Sequence, residues 1–386
     1  MDVNVARGRL EDGANTQLRE LQLPTTVGVP AFSDLTGVYS MSEKYELNTW
    51  SGFQYAGFLA GRLWLLSALG GADADRFAEG AQQITDRLLP ALTTGPVAHE
   101  NAGFDILYAL AWGYNSTKEA RYRDAALKAL DDFKSMFRPN LSVFLCNAKS
   151  NEVVIDTAGP LTCFMWGAAF DEECGTLIRT HLDRILEMGL LEENGAAIQG
   201  VQFDLERGEI ARYHARQGYT ESSRWTRAQA WAIHNYLNAF EAFGDNTYLD
   251  ASRRAAEHFM ERLPENLVNF YDYDDPNAPT IPWDTCSTVM AANAFVRYGR
   301  TAGIADSESW VQRGEALLEA IVNDHMTLSG TVLHGSWGNA RFTRNLGRFP
   351  QEDIMGYGNY WIHEAIYRLG QEDWSVVTLR PAAGGA

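Results

Sequence analysis

The stretch GFQYAGFLAGRLWLL, from Gly52 to Leu66, consists of aromatic, aliphatic, small and amide residues with a single charge, Arg62. A second stretch, YRDAALKALDDF from Tyr122 to Phe133, alternates charged residues with a face of alanine and leucine. A helix that is apolar on all sides has to be enclosed by protein, whereas a half-charged helix can face water. Because helices of both kinds recur in pairs along the chain, we predict two concentric rings, an all-α (α/α)6 barrel built as a six-hairpin toroid.

Helical periodicity extends over most of the chain, and the alternating pattern of strands occurs only in short pieces. Successive pairs begin roughly 50 to 75 residues apart, which is longer than solenoid repeats of about 33 to 47 residues. No linker rich in proline, glycine or serine interrupts the series, so we expect one barrel domain over residues 1–386, with an N-terminal extension at 1–40 and a tail at 380–386. The predicted helices cover residues 51–69, 74–93, 101–114, 118–137, 157–170, 173–189, 225–243, 247–263, 284–302, 308–324 and 355–370.

Each predicted inner helix opens with polar or aromatic residues. Asp, Asn, Ser and Thr are favoured at helix starts in any protein, so capping alone would explain a single opening. Six openings, several of which add Trp, Arg or Gln, favour a shared site where the inner helices begin. The openings are Trp50-Ser51-Gly52-Phe53, Asn101-Ala102-Gly103-Phe104, Asp156-Thr157-Ala158-Gly159, Trp225-Thr226-Arg227-Ala228, Asp284-Thr285-Cys286-Ser287 and Gly358-Asn359-Tyr360-Trp361.

The composition is that of a globular protein with a large core, and the formal net charge of −18 argues against nucleic acid or an anionic membrane as a partner. We expect a small-molecule substrate and a monomer or homodimer. Eleven tryptophans and sixteen tyrosines suit stacking on sugar rings, although aromatic residues also fill cores.

The cysteines show no CxxC spacing, so we predict buried thiols, no structural metal and no cofactor. They are Cys146, Cys163, Cys174 and Cys286. The first residues are charged and lack the apolar run of a signal peptide, and no run of apolar residues is long enough to span a membrane. The expected location is therefore the cytoplasm.

Asp156 is the leading candidate for chemistry. It follows Val153-Val154-Ile155 and precedes an inner helix, so its carboxyl is predicted at the mouth of the barrel. Burial would raise its pKa and the helix N-terminus would lower it, and such opposed influences suit a general acid near neutrality. A plain N-cap would explain the same position equally well.

A second cluster, His99 to Asp105, opens the preceding inner helix. Asn101 and Asp105 lie one turn apart on the same face. Asn101 can donate and accept hydrogen bonds but cannot titrate, so it can orient a substrate without acting as acid or base.

A third cluster combines arginines with aromatic and amide residues. Guanidinium groups pair bidentately with carboxylates, so this segment favours a local anion site. The alternative is salt bridging to the nearby Glu206, Glu209 and Glu221. The cluster consists of Arg212, Arg216, Gln217, Arg224, Trp225, Arg227, Gln229 and Trp231.

In order and spacing, these motifs resemble the unsaturated glucuronyl hydrolases of glycoside hydrolase family 88, from Trp50 to about Leu369. The string Trp225-Thr226-Arg227-Ala228-Gln229-Ala230-Trp231 is the most specific part. The other parts are Trp50-x-Gly52-Phe53 with Gly57 and Leu63-Trp64-Leu65, Gly103-Phe104 with Tyr122-Arg123-x-x-Ala126, Val154-Ile155-Asp156 with Leu161 and Trp166, Gln217-Gly218, Asp284 with Ser287, and Gly358-Asn359-Tyr360 with Glu364-Ala365.

The resemblance implies an (α/α)6 barrel and an enzyme that releases a 4,5-unsaturated uronic acid from the non-reducing end of lyase-generated oligosaccharides. In this family an Asp protonates C4 of the vinyl ether while water adds at C5, and Asp156 matches that Asp. The catalytic pair is then Asp156 and Asn101. Substrate contacts are expected from Trp50, Glu100, Arg216, Trp225, Arg227, Gln229, Trp231 and Asn359.

The sequence also departs from the family pattern. The usual His-Asp before the Gly-Phe step is Glu100-Asn101 here, Arg216 stands where a His is common, and Asn359 replaces an Asp. An Asn at a carboxylate position is either a substrate-trapping substitution or part of a natural divergence, and several departures together favour divergence. Two alternatives to hydrolysis remain open at this stage: a diverged biosynthetic enzyme that isomerises, eliminates or cyclises its substrate, and a carboxylate-disabled binder of sugar acids.

Overall fold

The computed structural model describes residues 1–21, 29–33, 39–42, 54–95, 97, 99–341 and 352–381. The predicted opening at residues 50–53, including Trp50, lies outside this part of the chain, as does most of the predicted tail.

The helices of the described chain follow the predicted pattern, with boundaries within about four residues wherever each predicted helix forms as one piece. They are α1 (Val3–Leu21), α2 (Gln54–Ala68), α3 (Ala74–Thr94), α4 (Ala102–Asp105, Ile106–Ala111 and Trp112–Thr117 in succession), α5 (Ala120–Lys134), α6 (Thr162–Gly167), α7 (Glu172–Glu187), α8 (Thr226–Phe243), α9 (Asn246–Arg262), α10 (Thr285–Tyr298), α11 (Ser307–Asp324) and α12 (Gly356–Gly370).

The even-numbered helices form a closed inner ring. Along the ring α2 packs on α4, α4 on α6, α6 on α8, α8 on α10, α10 on α12, and α12 again on α2. Every residue of α10 is buried, and so is α8 from Thr226 to Ala239. The odd-numbered helices pack outside this ring against the inner helices and carry charges on their outer faces. The (α/α)6 barrel predicted from the helix pattern is therefore confirmed.

Helix α1 lies within residues 1–40, the predicted N-terminal extension. It packs against α12, and its residues Ala6, Leu10 and Ala14 are buried in the core. Because α12 is the last inner helix, its outer partner comes from the beginning of the chain and closes the outer ring. This helix was not predicted, because six charges in its nineteen residues obscure its apolar stripe.

Asp156 lies on a 3-10 turn, Ile155–Ala158, and the α-helix predicted to start there begins only at Thr162. Pro160 is the reason, since it has no N–H to donate to a helical hydrogen bond. The central part of α4, Ile106–Ala111, is π-helical. Such segments widen a helix locally and are frequent near functional sites.

Short antiparallel sheets lie at the end of the barrel where the inner helices begin. The first strands are β1 (Val29–Ser33), which pairs with β2 (Tyr39–Ser42), and β3 (Phe137–Arg138), which pairs with β4 (Val143–Phe144). In one sheet β5 (Glu152–Val154) pairs with β6 (Gly200–Asp204), and β6 pairs with β7 (Glu209–His214). Val154 and His214 are both register partners of Gly200. The segments carrying Asp156 and Arg216 therefore leave the sheet at the same end of its strands. In another sheet β8 (Gly335–Ser336) pairs with β9 (Glu352–Met355), directly before α12.

All four cysteines are buried free thiols, as predicted. No helix in the described part of the chain is both long enough and apolar enough to cross a membrane.

Gly103, at the start of α4, allows the close contact with the turn that carries Asp156. A Cβ at this position would lie 2.7 Å from the carbonyl carbon of Pro160 and closer still to its oxygen. We expect Gly103→Ala to lower the free energy of unfolding by about 1–3 kcal/mol, because the backbone would have to move. Chemical denaturation measures this loss. Gly113→Ala is the control from the same helix, since its Cβ meets no atom closer than 3.3 Å; equal losses would contradict the prediction.

Candidate active site

A narrow cavity of about 40 Å³ lies where the inner helices begin. The sequence predicted a shared site at this end of the barrel. The lining residues are Glu100, Asn101, Phe104, Asp156, Pro160, Arg216, Gln217, Trp225, Arg227, Trp231, Trp337 and Tyr357.

The carboxyl of Asp156 lies in the wall of this cavity. Two hydrogen bonds hold the backbone around Asp156: Ile155 N–H donates to Gln199 O at 2.7 Å, and Gly159 N–H donates to Asp156 O at 2.8 Å. The atom Oδ1 is buried and accepts no hydrogen bond from any described residue. Burial raises the pKa of Asp156 above its ordinary value, although the charge of Arg216 opposes this shift. Asp156 can therefore keep a proton that an exposed aspartate would lose.

Arg216 and Glu152 form an ion pair beside Asp156. Arg216 Nη1 lies 2.9 Å from Glu152 Oε2, and His214 Nε2 lies 2.7 Å from Glu152 Oε1. Burial raises the pKa of Glu152, but the hydrogen bond to His214 and the charge of Arg216 outweigh it and hold this pKa below its usual range. Glu152 is thus the ionised partner of Arg216. The Nε of Arg216 is buried and has no partner among the described residues.

A second ion pair joins Arg227, in the first turn of α8, to Asp284, the residue preceding α10. Arg227 Nε and Nη2 each lie 3.0 Å from an oxygen of Asp284, and Nη2 also donates to the Ser336 carbonyl. The guanidinium carbon lies 5.1 Å from the ring centre of Trp225. Arg227 therefore contributes a fixed charge to the cavity, with much of its hydrogen-bonding capacity already used.

Glu100 is 6% exposed, and its Oε2 has no partner among the described residues. The pKa of Glu100 is raised to about 7: burial is the main cause and nearby Asp156 and Glu152 add to it, whereas the charge of Arg216 and a hydrogen bond with Thr157 oppose it. Asn101 lines the cavity beside Glu100. Its backbone N–H donates to His99 Nδ1 at 3.2 Å, and burial lowers the pKa of His99 to about 4, so this ring is neutral near pH 7.

Aromatic rings complete the walls. Trp225 and Trp231 were predicted, and Gly159 lets the Trp231 indole lie against the backbone, since a Cβ there would overlap the ring. Phe104, Pro160, Trp337 and Tyr357 also line the cavity and were missed as site residues. Tyr357 directly precedes the predicted opening at Gly358, and this position next to a helix start could have identified it as a site residue. Trp337 follows a two-residue strand and belongs to no helical pattern, so nothing in its sequence context marked it as a site residue.

Two predicted substrate contacts, Gln229 and Asn359, lie outside the cavity lining. The Gln229 side chain donates to Gly195 O at 2.7 Å and to Ala255 O at 2.9 Å, and it accepts from Ala197 N–H at 2.9 Å. Asn359 accepts from Val332 N–H at 3.0 Å and donates to Met355 O at 3.0 Å. Both amides hold loops to inner helices, because their positions on α8 and α12 face neighbouring backbone.

Some arginines of the cluster line the cavity, as the anion-site hypothesis predicted, and others form salt bridges, as the alternative predicted. Arg216 and Arg227 line the cavity. Arg212 pairs with Glu221 at 2.9 Å and Arg224 pairs with Glu192 at 2.9 Å, both away from the lining residues. The salt-bridging alternative thus describes Arg212 and Arg224, with Glu192 unforeseen as a partner.

Gln229→Leu separates a structural role from substrate contact. The substitution would leave one backbone N–H and two carbonyls without their present partner, at about 1–3 kcal/mol for each orphaned group. We expect a lower free energy of unfolding and an unchanged KM for whichever substrate is turned over. Denaturation curves and steady-state kinetics measure the two quantities, and a raised KM with unchanged stability would restore Gln229 as a ligand.

Known proteins resemble this chain over most of its length, although no family model matches it. The chain is 24% identical over 351 residues to an unsaturated glucuronyl hydrolase of Bacillus sp. strain GL1, covering 85% of this chain and 89% of that protein. It is 22% identical over 338 residues to an unsaturated chondroitin disaccharide hydrolase of Streptococcus pneumoniae, covering 83% and 82%.

Solved structures show the same fold. The crystal structure of unsaturated glucuronyl hydrolase from Bacillus sp. GL1 superposes with a TM-score of 0.85 and 20% identity, covering 99% of this chain and 100% of that one. The enzyme from Streptococcus agalactiae gives 0.81 and 18% identity, covering 97% and 93%. By sequence and by fold, this chain is a relative of the unsaturated glucuronyl hydrolases, as its motifs predicted.

Proposed function

We propose that this chain hydrolyses glycosides that carry a 4,5-unsaturated uronic acid at the non-reducing end, by hydration of the vinyl ether. One observation carries the proposal: a carboxyl with a raised pKa, Asp156, lies in a cavity walled by indole rings and two guanidinium groups. The relatives named for unsaturated glucuronyl and chondroitin disaccharide hydrolysis support the same substrate class.

The chemistry needs a proton donor and a water molecule. Asp156 gives its proton to C4 of the enol ether, positive charge develops at C5 and the ring oxygen, and water adds at C5. The resulting hemiketal opens and releases the rest of the saccharide. A raised pKa suits this step, because a carboxyl that stays protonated closer to neutral pH is a more abundant acid there.

The carboxylate of the uronic acid requires a cationic partner. Both cavity arginines already hold a carboxylate, but Arg216 retains a buried Nε–H without a partner in the described chain, so we assign the substrate carboxylate to it. Asn101 can donate to and accept from sugar hydroxyls at the cavity edge. Trp225 and Trp231 offer faces on which a sugar ring can stack.

The test is a panel of unsaturated disaccharides made by lyases from chondroitin, heparin, hyaluronan and gellan-type glycans. Hydration destroys the conjugated enol ether, so its ultraviolet absorbance falls as the reaction proceeds. We expect loss of absorbance with at least one member of the panel and no turnover of the saturated counterparts. Stable absorbance with every member would refute the proposed function.

We also propose that the enzyme works in the cytoplasm. Four buried free thiols support this location, because disulfides are rare where glutathione and thioredoxin keep thiols reduced. Fractionation of the source cells with an antibody to this chain tests it, and recovery from the medium or from an envelope fraction would contradict it.

A further inference from the structure

In the described part of the chain, four carboxyl groups in and around the cavity, those of Glu100, Glu152, Asp156 and Asp284, lie near two guanidinium groups, those of Arg216 and Arg227. Each guanidinium is paired by direct contact with one carboxylate, Arg216 with Glu152 and Arg227 with Asp284. No salt bridge joins Glu100 or Asp156 to a cation within the described residues.

Two like charges in one buried site repel each other, and an uncompensated buried carboxylate is costly. Glu100 and Asp156 are close enough to interact electrostatically. Their segments are also linked, because Glu100 shares a hydrogen bond with Thr157, the residue after Asp156. One oxygen of each carboxyl, Glu100 Oε2 and Asp156 Oδ1, is buried without a partner in the described chain. The pair can therefore hold one proton between them more easily than it can lose both.

We propose that Glu100 and Asp156 form one acid/base unit, in which Glu100 takes a proton from the attacking water while Asp156 gives its own to the substrate. This assignment rests on the proposed function. It replaces the expected role of Glu100 as a simple substrate contact, and it gives the site a second ionisable carboxyl although position 101 is an asparagine.

The step is balanced. The O–H bond of Asp156 breaks as the C4–H bond forms, the oxygen of water bonds to C5, and a water O–H bond breaks as Glu100 Oε2 gains the proton. The proton then passes from Glu100 back to Asp156, directly or through solvent, which restores the starting state. The reactive form has Asp156 protonated and Glu100 ionised.

Other groups that face Glu100 stay in one charge state near neutral pH or are already paired. His99 is neutral, the Glu152 carboxylate is held by Arg216 and His214, and burial raises the pKa of the Cys146 thiol and of the Tyr357 phenol. We therefore expect the Glu100 and Asp156 pair to titrate with two macroscopic pKa values shared by both residues.

Glu100→Gln tests the kinetic role, with Glu100→Asp as the conservative variant. We expect Glu100→Gln to lower kcat about 100-fold or more, in the range of general acid–base catalysis. The rate should no longer rise with pH on the acidic side, and its fall on the alkaline side should move to lower pH, because Asp156 loses its like-charged neighbour. Glu100→Asp should restore both the rise of the rate on the acidic side of the pH profile and its fall on the alkaline side. A fall in kcat below about threefold with both limbs intact would overturn the proposal.

A second measurement follows the protonation of Glu100 directly and does not require turnover. Infrared difference titration of the substrate-free protein follows the carboxylic acid band of Glu100, identified by its loss in Glu100→Gln. We expect Asp156→Asn to move this titration to lower pH. A Glu100 band that titrates identically in both proteins would refute the shared proton. Failure of every substrate in the panel would instead count against the proposed function alone.

Discussion

Asp156→Asn is expected to abolish turnover of unsaturated disaccharides while leaving the fold and substrate binding in place. The amide has nearly the same shape as the carboxyl but cannot give up a proton to C4. Loss of a general acid costs about 10²- to 10⁴-fold in rate. Because Oδ1 of Asp156 makes no hydrogen bond within the described chain, the substitution removes no contact at that atom. The measurement is kcat from the decay of the enol ether absorbance, together with Kd for the same disaccharide from calorimetry.

Asp124→Asn is the matched control. Asp124 lies on the outer helix α5 with its side chain 62% exposed, so the same chemical change there should leave kcat unaltered. If Asp156→Asn kept more than about a tenth of the activity, proton donation would have to come from another group. If binding were lost as well, Asp156 would be a substrate ligand rather than the acid.

Asp284→Asn is expected to be the most destabilising single change in the site. The Arg227 side chain is 3% exposed and that of Asp284 is 0% exposed, so the substitution leaves a buried guanidinium charge without its carboxylate. Removing one partner of such a pair typically costs about 3–5 kcal/mol. Chemical denaturation should therefore show a midpoint shifted to much lower denaturant.

Two further variants serve as controls for the loss of stability in Asp284→Asn. Glu187→Gln breaks an exposed pair with Arg184, and we expect a change of about 0–1 kcal/mol there. The double variant Arg227→Met with Asp284→Leu removes both charges and should recover part of the stability lost in Asp284→Asn. A loss in Asp284→Asn as small as that in Glu187→Gln would show that Arg227 stays hydrated in the folded protein.

The predicted site residues differ in how well periodicity could place them. Asp156, Trp225 and Arg227 stand at or near the starts of inner helices, and a helix start fixes which end of the barrel a residue occupies. Gln229 shares the Trp-Thr-Arg-x-Gln-Ala-Trp string, yet its amide faces backbone outside the cavity. Two positions along a helix rotate a side chain by about 200°, so a contiguous string reports a helix and cannot report which of its members share a cavity.

Ion pairs between residues far apart in the chain could not be predicted from the sequence either. Arg216 could have paired with Glu206, Glu209 or Glu221, which are close along the chain. It pairs instead with Glu152, because the register of β5, β6 and β7 places residues 152, 202 and 212 level with one another, two residues from the end of β7 that leads to Arg216. That register also decides that Glu152, and not Asp156, is the carboxylate in direct contact with Arg216.

The sequence by itself determined the helix pairs, the barrel and the end at which the inner helices present polar groups, because each follows from local periodicity and helix boundaries. Only the tertiary structure decided that α1 completes the outer ring, that Glu100 and Asp156 line the same cavity, and that neither carboxyl forms a salt bridge with another described residue. Those facts depend on distances between segments remote in the chain, and the pKa of a carboxyl is set by the charges and the burial that such packing creates.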